Sequence, residues 1–412
     1  MSTHGLFRLI SRMDFKLMQR TCVTAVGFVH LRPKDDLFGP GSVAETAWVI
    51  LTGEMVYTQQ PGTSPVTDDT STLVGRDKWL CETCLWAEWT HVGRAESTTE
   101  CQLLSMDPDA LSQCLKQDRI IMGIAAQYCR HFHKRVTNAC PPHAPWPTDL
   151  EVPFTDYCDL VVTMDKAAQL AIGREALSQL ASQRYARGLE NLRAEVESSK
   201  SIVVTTGGGS IIRVVSLVVL KAEMIDGRVF MQVGKYNGGG KIKSAFQLPG
   251  VKQEADELVG ETIGRMFRTR LMLLSGKLEL RGTTRENTEK ESKEYGVQTR
   301  YMRSICSAQL MEGAVLEAPS CVYRSDKPVE QESTTYVSGR PTFTDPQPAL
   351  ADLSDIAVYA VPSGRDGGNL YAWLPPDVVR QLSSGDGDRV LKAWVSRLEL
   401  PIEEHVEGGE EP

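Results

Sequence analysis

A short tryptophan-rich stretch, residues 76–106, holds the side chains most able to do chemistry. Glu82 lies in it, and apolar residues such as Trp79 and Leu85 lie on either side. A carboxylate among apolar side chains is costly unless it is paired or hydrogen-bonded. The sequence therefore predicts a partner for Glu82, which is either a ligand or another part of the protein.

The same stretch contains the pattern Cys81-Glu82-Thr83-Cys84, in which two residues separate two thiols. Buried free thiols are the preferred interpretation. Thioredoxin-like redox chemistry is disfavoured, because the pattern does not open a helix in a βαβ unit. A structural zinc site usually needs a second pair of ligands at fixed spacing, and no such pair is obvious. Further zinc ligands would have to come from a downstream group: Cys129, His131, His133, Cys140 and His143.

The bulk composition argues against several classes of function. The 412 residues carry a net charge of −8 and have a pI near 5.5. The chain therefore lacks the positive net charge that is typical of proteins that bind nucleic acid or acidic membranes. No apolar run approaches the ~18 residues typical of a membrane span. The N-terminus lacks the apolar core of a signal peptide, so we expect a cytoplasmic protein with reduced cysteines.

Helices and strands that could position Glu82 surround this stretch. The spacing of apolar residues predicts short helices over residues 1–30, and Ala47-Trp48-Val49-Ile50-Leu51 predicts a buried strand before a tight turn. Another strand is expected over 101–106. Asp107 is a favoured N-cap for the first of two helices, and the second is expected over about 117–136. This order predicts a small antiparallel roll flanked by helices.

The arrangement resembles a cyclic-nucleotide-binding domain, as found in kinase regulatory subunits and in the cytosolic ends of cyclic-nucleotide-gated and related voltage-gated cation channels. The resemblance covers residues 1–140 and implies a β-roll with cAMP or cGMP as ligand. It rests on four segments: Asp36-Leu37-Phe38-Gly39-Pro40-Gly41, Trp48-Val49-Ile50-Leu51-Thr52-Gly53-Glu54, Leu80-Cys81-Glu82 and Thr99-Glu100-Cys101-Gln102-Leu103-Leu104-Ser105-Met106-Asp107.

The resemblance also implies roles for individual residues. In that family a loop glutamate accepts a hydrogen bond from the ribose hydroxyl, and an arginine farther along clamps the cyclic phosphate. Glu82 falls at the first position and His91 at the second, with Arg94 three residues beyond as a substitute. Cys81 replaces the glycine that normally precedes the glutamate. The candidate ligand-binding residues are Cys81, Glu82, Thr83, Cys84, Leu85, His91, Val92 and Arg94.

The remaining chain predicts a linker and a second domain. Residues 141–200 begin proline-rich and then regain helical spacing, which favours a linker and a connector helix. Residues 201–400 combine β-branched strands, glycine turns and helices, and 401–412 form an acidic tail that we expect to be disordered. Within 201–400, Leu248-Pro249-Gly250-Val251-Lys252 followed by an acid-led helix resembles the Nudix fold.

The Nudix resemblance implies a fold without the family's chemistry. In that family an Arg-Glu-x-x-Glu-Glu cluster holds divalent metal against a diphosphate, and here Arg265 and Arg268 replace the metal-binding carboxylates. Magnesium takes oxygen ligands, so two guanidinium groups would repel it. No catalytic residue, metal or cofactor is therefore predicted, and the chain is not expected to be an enzyme.

Together these patterns predict an α+β protein. A cyclic-nucleotide-binding-like β-roll, a jelly roll with flanking helices, precedes a Nudix-like α/β sandwich. The expected function is a regulatory sensor in which ligand binding in the roll is coupled to the degenerate second module, with a further relation to the cytosolic part of a gated cation channel. The expected partners are a cyclic nucleotide and a protein or channel assembly, without nucleic acid or a membrane span.

Two alternatives remain open. One is a divergent Nudix hydrolase that acts on nucleoside diphosphate derivatives. The other is a non-binding scaffold of two degenerate domains, in which Trp86 and Trp89 fill the loop and Glu82 pairs with local backbone or with Arg94.

Overall fold

The computed structural model describes residues 4–182, 188–292, 295–325, 353–363 and 367–401. The predicted acidic tail lies outside these residues, apart from Pro401. The chain divides into two compact units. The domain limits indicated by the sequence stay a prediction. The first unit is Met1–Leu217, Lys252–Val259 and Arg285–Ser304, and the second is Val218–Val251, Gly260–Thr284 and Ile305–Pro412.

The first unit contains the predicted β-roll. It consists of two four-stranded sheets whose neighbouring strands are antiparallel. The strands are β1 (Val26–Leu31), β2 (Asp36–Phe38), β3 (Ala47–Thr52), β4 (Met55–Gln59), β5 (Thr70–Val74), β6 (Trp79–Leu80), β7 (Gly93–Ser97) and β8 (Cys101–Met106). One sheet has the order β1-β8-β3-β6 and the other β2-β7-β4-β5. The prediction of a small antiparallel roll is confirmed.

Alternating burial explains why these residues form strands. β4 buries Met55 and Tyr57, with the half-buried Val56 between them, because successive side chains of a strand point to opposite faces. The turn between β3 and β4 depends on Gly53, which has φ +90°. A Cβ at this position would lie 2.4 Å from the carbonyl oxygen of Glu100, so the turn requires glycine.

Four helices flank the roll: α1 (Gly5–Met13), α2 (Phe15–Thr24), α3 (Pro108–Leu115) and α4 (Arg119–Asn138). Asp107 accepts a hydrogen bond from the Ala110 amide at 2.7 Å, which confirms the predicted N-cap. The prediction of helices throughout residues 1–30 is wrong for residues 26–30, which belong to strand β1 and pair with β8. Across the described residues no helix, α4 included, has the length and hydrophobicity to cross a membrane.

Part of the predicted linker is core of the first unit. Val152, Tyr157 and Leu160 are buried in one cluster with Leu6 and Phe7 of α1. The apolar residues between the prolines are buried because they pack against this surface of α1, and the assignment of residues 141–200 as a linker and connector stays a prediction. The elements that follow are α5 (Tyr157–Thr163), α6 (Lys166–Ser182), α7 (Leu189–Glu197) and β9 (Ile202–Thr205).

The second unit contains a mixed arrangement of strands and helices. β11 (Val229–Asn237) pairs antiparallel with both β12 (Ile242–Gln247) and β18 (Gly367–Leu374), and β17 (Val358–Pro362) pairs with β18. Its core includes Leu370, Leu374 and Trp394. The Nudix-like assignment of this region stays a prediction.

The other elements of the C-terminal half are short or belong to both units. β16 (Val322–Tyr323) pairs with β19 (Leu398–Glu399), and two helices, α9 (Pro376–Leu382) and α10 (Gly387–Val395), lie between β18 and β19 in the chain. The elements that contain residues of both units are β10 (Ile211–Glu223), β13 (Gly250–Lys252), α8 (Val259–Thr269), β14 (Leu278–Glu291) and β15 (Gln298–Leu310).

Candidate functional site

A buried aspartate outside the roll, Asp149, lies at the centre of the candidate site. Asp149 is not among the candidate residues indicated by the sequence. Its carboxylate accepts hydrogen bonds from five groups, which are three side chains and two backbone amides of the roll. Oδ1 accepts from His91 Nδ1 at 2.7 Å and Trp89 Nε1 at 2.9 Å, and Oδ2 accepts from the Tyr57 hydroxyl at 2.7 Å and from the amides of Val92 and Gly93 at 3.0 Å each.

A tight turn in the proline-rich segment presents this carboxylate. The Thr148 amide donates to the carbonyl of Glu151 at 2.8 Å, and the Thr148 hydroxyl accepts from the amides of Leu150 and Glu151 at 3.1 Å each. The Asp149 carbonyl accepts from the amide of Cys81 at 2.6 Å. The turn therefore holds the roll through both the main chain and the side chain of Asp149.

The electrostatics of the site follow from its burial. The side chain of Asp149 is 0% exposed and that of His91 is 2% exposed. Because a carboxylate offers only acceptors, Nδ1 of His91 carries the proton. Burial, and next the charge of Asp149, raise the pKa of Tyr57, so its hydroxyl stays a donor. A buried carboxylate requires such partners, and each hydrogen bond to a charged group contributes about 1.5–3 kcal/mol.

Packing fixes the imidazole in place. The His91 ring stacks on Phe38 of β2, with ring centroids 3.9 Å apart and an interplanar angle of 10°. Trp48 of β3 stacks at a longer centroid distance of 6.1 Å. A ring held between apolar neighbours can present Nδ1 to the anion without rearrangement.

Glu82 has its partners within the protein. Its Oε1 lies 3.0 Å from His4 Nε2, 3.1 Å from Trp86 Nε1 and 3.4 Å from the Tyr128 hydroxyl. Burial raises the pKa of Glu82, but attraction to His4 and the three hydrogen bonds outweigh burial, so the pKa lies below its ordinary value. The alternative in which Glu82 pairs with local backbone or Arg94 is wrong, because its partners are the side chains of His4, Trp86 and Tyr128. Glu82 also lines a cavity of about 350 Å³.

The other predicted site residues lie around Asp149, in the 3₁₀ turn that contains Glu82, or on the surface. Cys81 and Val92 join His91 around Asp149. Arg94 is exposed and pairs with Asp36 on the neighbouring strand β2 and with Glu96 on its own strand β7. The expected substitute for the phosphate clamp is therefore paired with two surface carboxylates. Thr83, Cys84 and Leu85 belong to the 3₁₀ turn Glu82–Leu85, where Thr83 and Cys84 are buried and Leu85 is half-buried.

No protein-family model and no curated protein matches the chain. Among solved structures, it is similar to a cyclic-nucleotide-binding-like protein from Brucella abortus, with 19% identity over 27% of this chain and 97% of that one (TM-score 0.23). It is also similar to the N-terminal domain of a transcriptional regulator from Streptomyces coelicolor, with 21% identity over 32% and 94% of the two chains (TM-score 0.27).

A third similar structure is the regulatory subunit of a cAMP-independent protein kinase A from Trypanosoma brucei. The identity is 14% over 31% of this chain and 45% of that one, with a TM-score of 0.23. At these identities and TM-scores the likenesses assign no function to the chain.

Proposed function

We propose that the chain is a regulatory protein whose β-roll has two states. In one state Asp149 fills the anion site, and in the other the phosphate of a cyclic nucleotide replaces it. The observation that carries the proposal is the set of donors around the Asp149 carboxylate. The donors include His91, the residue that falls where the resemblance expects the phosphate clamp, and the amides of the next two residues.

The chemistry of the site suits a singly charged anion. The cyclic phosphate diester carries one negative charge, as does the carboxylate that it would replace. Backbone amides, an indole N–H, a hydroxyl and an imidazole N–H all donate to phosphate oxygens as readily as to carboxylate oxygens. An arginine would bind phosphate bidentately and more strongly. With His91 at this position and Asp149 as an internal competitor, we expect weak binding of free nucleotide.

Exchange of the two anions would change the chain beyond the roll. If Asp149 leaves, the turn that contains Thr148 and Glu151 loses its anchor, and this turn leads directly into the buried segment before α5. We propose that the second unit is the module that receives this signal, without diphosphate hydrolysis, because Arg265 and Arg268 stand at the family's carboxylate positions. A relation to the cytosolic part of a gated cation channel is part of the same proposal.

Calorimetric titration of the full chain with cAMP and cGMP tests the exchange. The wild type is expected to bind at least one of them weakly, and Asp149→Ala to bind it at least tenfold more tightly, because the competing carboxylate is gone. Glu151→Ala, which removes an exposed acid from the same turn, should bind as the wild type does. All titrations contain a chelator, which separates this test from metal binding.

Two results would replace the proposal. Failure of the folded wild type, Asp149→Ala and the double variant Asp149→Ala/His91→Arg to bind either nucleotide would favour the non-binding scaffold. Glu261 is an acid in the first turn of α8. Magnesium-dependent turnover of a nucleoside diphosphate derivative, abolished by Glu261→Gln, would instead identify a divergent Nudix hydrolase.

A further inference from the structure

Cys81 has a backbone conformation that its side chain does not favour. Its φ of +56° and ψ of 38° lie in the left-handed region, where glycine is free of strain and a residue with a Cβ is not. The resemblance also expects glycine here. Strained residues of this kind persist where the surroundings hold them, and they concentrate at functional sites. The thiol of Cys81 therefore needs a role that a glycine would not fill.

Metal-ligating atoms meet at this thiol. Cys81, His91 and Asp149 each offer one ligand atom, and these three atoms lie within 4.8 Å of one another. All three residues are buried. Cys84 packs in the same small buried cluster as Cys81, and the Cys84 amide donates to the Cys81 carbonyl at 3.2 Å. A fourth donor is thus next to the cluster, at the C-x-x-C spacing.

We propose that Cys81, His91 and Asp149, with Cys84 as the fourth ligand, form a zinc-binding site. Thiolate, imidazole and carboxylate together suit zinc, which structural sites hold with four ligands in a tetrahedron. Zinc bonds of about 2.0–2.3 Å place ligand atoms about 3.3–3.7 Å apart, so the ligand atoms of Cys81, His91 and Asp149 must approach one another by up to about 1.5 Å. The Cys84 sulfur lies outside this group of three and must turn toward the ion. The ion would replace the proton between His91 Nδ1 and Asp149 Oδ1.

The protons balance in a simple way. Each of the two thiols loses one proton to solvent when its sulfur bonds to zinc, and His91 moves its remaining proton to Nε2. Zinc affinity should therefore increase with pH, because the ion competes with protons for both sulfurs.

The ligand set explains why the sequence did not complete a zinc site. The downstream cysteines and histidines, from Cys129 to His143, do not belong to this group among the described residues. The missing ligands are His91, later in the same loop, and Asp149 in the proline-rich segment. A zinc ion there would fasten that segment to the roll, and this inference does not rest on nucleotide binding.

Cobalt spectroscopy of the full chain tests the site. The chain is stripped of metal with a chelator, dialysed and titrated with Co²⁺, which reports its ligands by visible absorption. We expect one equivalent of Co²⁺ with a thiolate-to-cobalt charge-transfer band and the intense visible bands of tetrahedral coordination. One equivalent of Zn²⁺ should then remove both signals, because zinc binds such sites more tightly than cobalt.

Variants identify the ligands. Cys81→Ser should weaken cobalt binding at least 100-fold, and Cys84→Ser should lower the charge-transfer intensity by about half. Cys101→Ser, which alters another buried thiol of the roll, should leave the spectrum unchanged. A wild-type chain without the thiolate band overturns the proposal, as does Cys81→Ser binding within twofold of the wild type. If Cys81→Ser does not fold, the wild-type spectrum and Cys84→Ser decide the question.

Discussion

Replacement of Asp149 by alanine is expected to lower the free energy of unfolding of the chain by about 3–5 kcal/mol. The physical reason is the set of five donors that would lose their acceptor in a site with almost no access to water. Each buried donor left without a partner costs about 1–3 kcal/mol, and water that enters the cavity recovers part of this cost. Urea unfolding followed by near-ultraviolet circular dichroism measures the change.

Two further variants separate charge from packing. Asp149→Asn keeps the shape of the side chain but has only one oxygen that can accept hydrogen bonds. Its free energy of unfolding should therefore lie between those of the wild type and Asp149→Ala. Glu151→Ala removes an exposed acid from the same turn and should cost less than about 0.5 kcal/mol. If Asp149→Ala unfolds like Glu151→Ala, the carboxylate does not hold the turn in place.

Glu82→Ala is expected to have the second-largest effect, a loss of about 2–4 kcal/mol. The variant removes the acceptor shared by His4, Trp86 and Tyr128. These groups connect α1, the 3₁₀ turn and α4, so the loss should loosen the helices around the roll. Urea unfolding under the same conditions gives the value, and Glu88→Ala, at an exposed acid of the same loop, is the matched control.

The stability of the chain should depend on pH through Glu82, because the charged form of Glu82 binds its three partners in the folded state. The pKa of Glu82 in the folded chain lies below its ordinary value of 4.5, so the folded state favours the charged form. The resulting stabilisation is fully present above pH 4.5 and is lost as the pH falls through the folded pKa. Between pH 7 and pH 3 the wild type should therefore lose more stability than Glu82→Gln. Parallel pH profiles of the two proteins would show that the cluster does not depend on this charge.

The parts of the fold that follow from local pattern could be predicted from the sequence. The strands β3 and β8, the turn at Gly53 and the cap at Asp107 are each indicated by a local pattern of residue types. Residues 26–30 were misassigned because their strand character comes from pairing with β8, which is distant in the chain. Local spacing does not contain that information.

The candidate site depends on pairs of residues that are distant in the chain, and local pattern or resemblance indicates only one member of each pair. Glu82 was selected because a carboxylate among tryptophans needs a partner, but His4 is 78 residues away in the chain. His91 was selected through the resemblance, and its acceptor Asp149 is 58 residues away. Asp149 itself lies among prolines, a composition typical of an exposed turn. The neighbouring residues in the sequence do not distinguish Asp149, which the roll buries, from an aspartate in an exposed turn.

Hydrogen exchange at the amides of Val92 and Gly93 tests most directly whether Asp149 occupies the anion site. Both amides donate to Asp149 Oδ2 at 3.0 Å. Resolved by NMR in the folded, metal-free full chain, they should exchange slowly in the wild type and at least tenfold faster in Asp149→Ala. Added cyclic nucleotide should slow them again in the variant. Equal exchange rates in the two proteins would contradict the account.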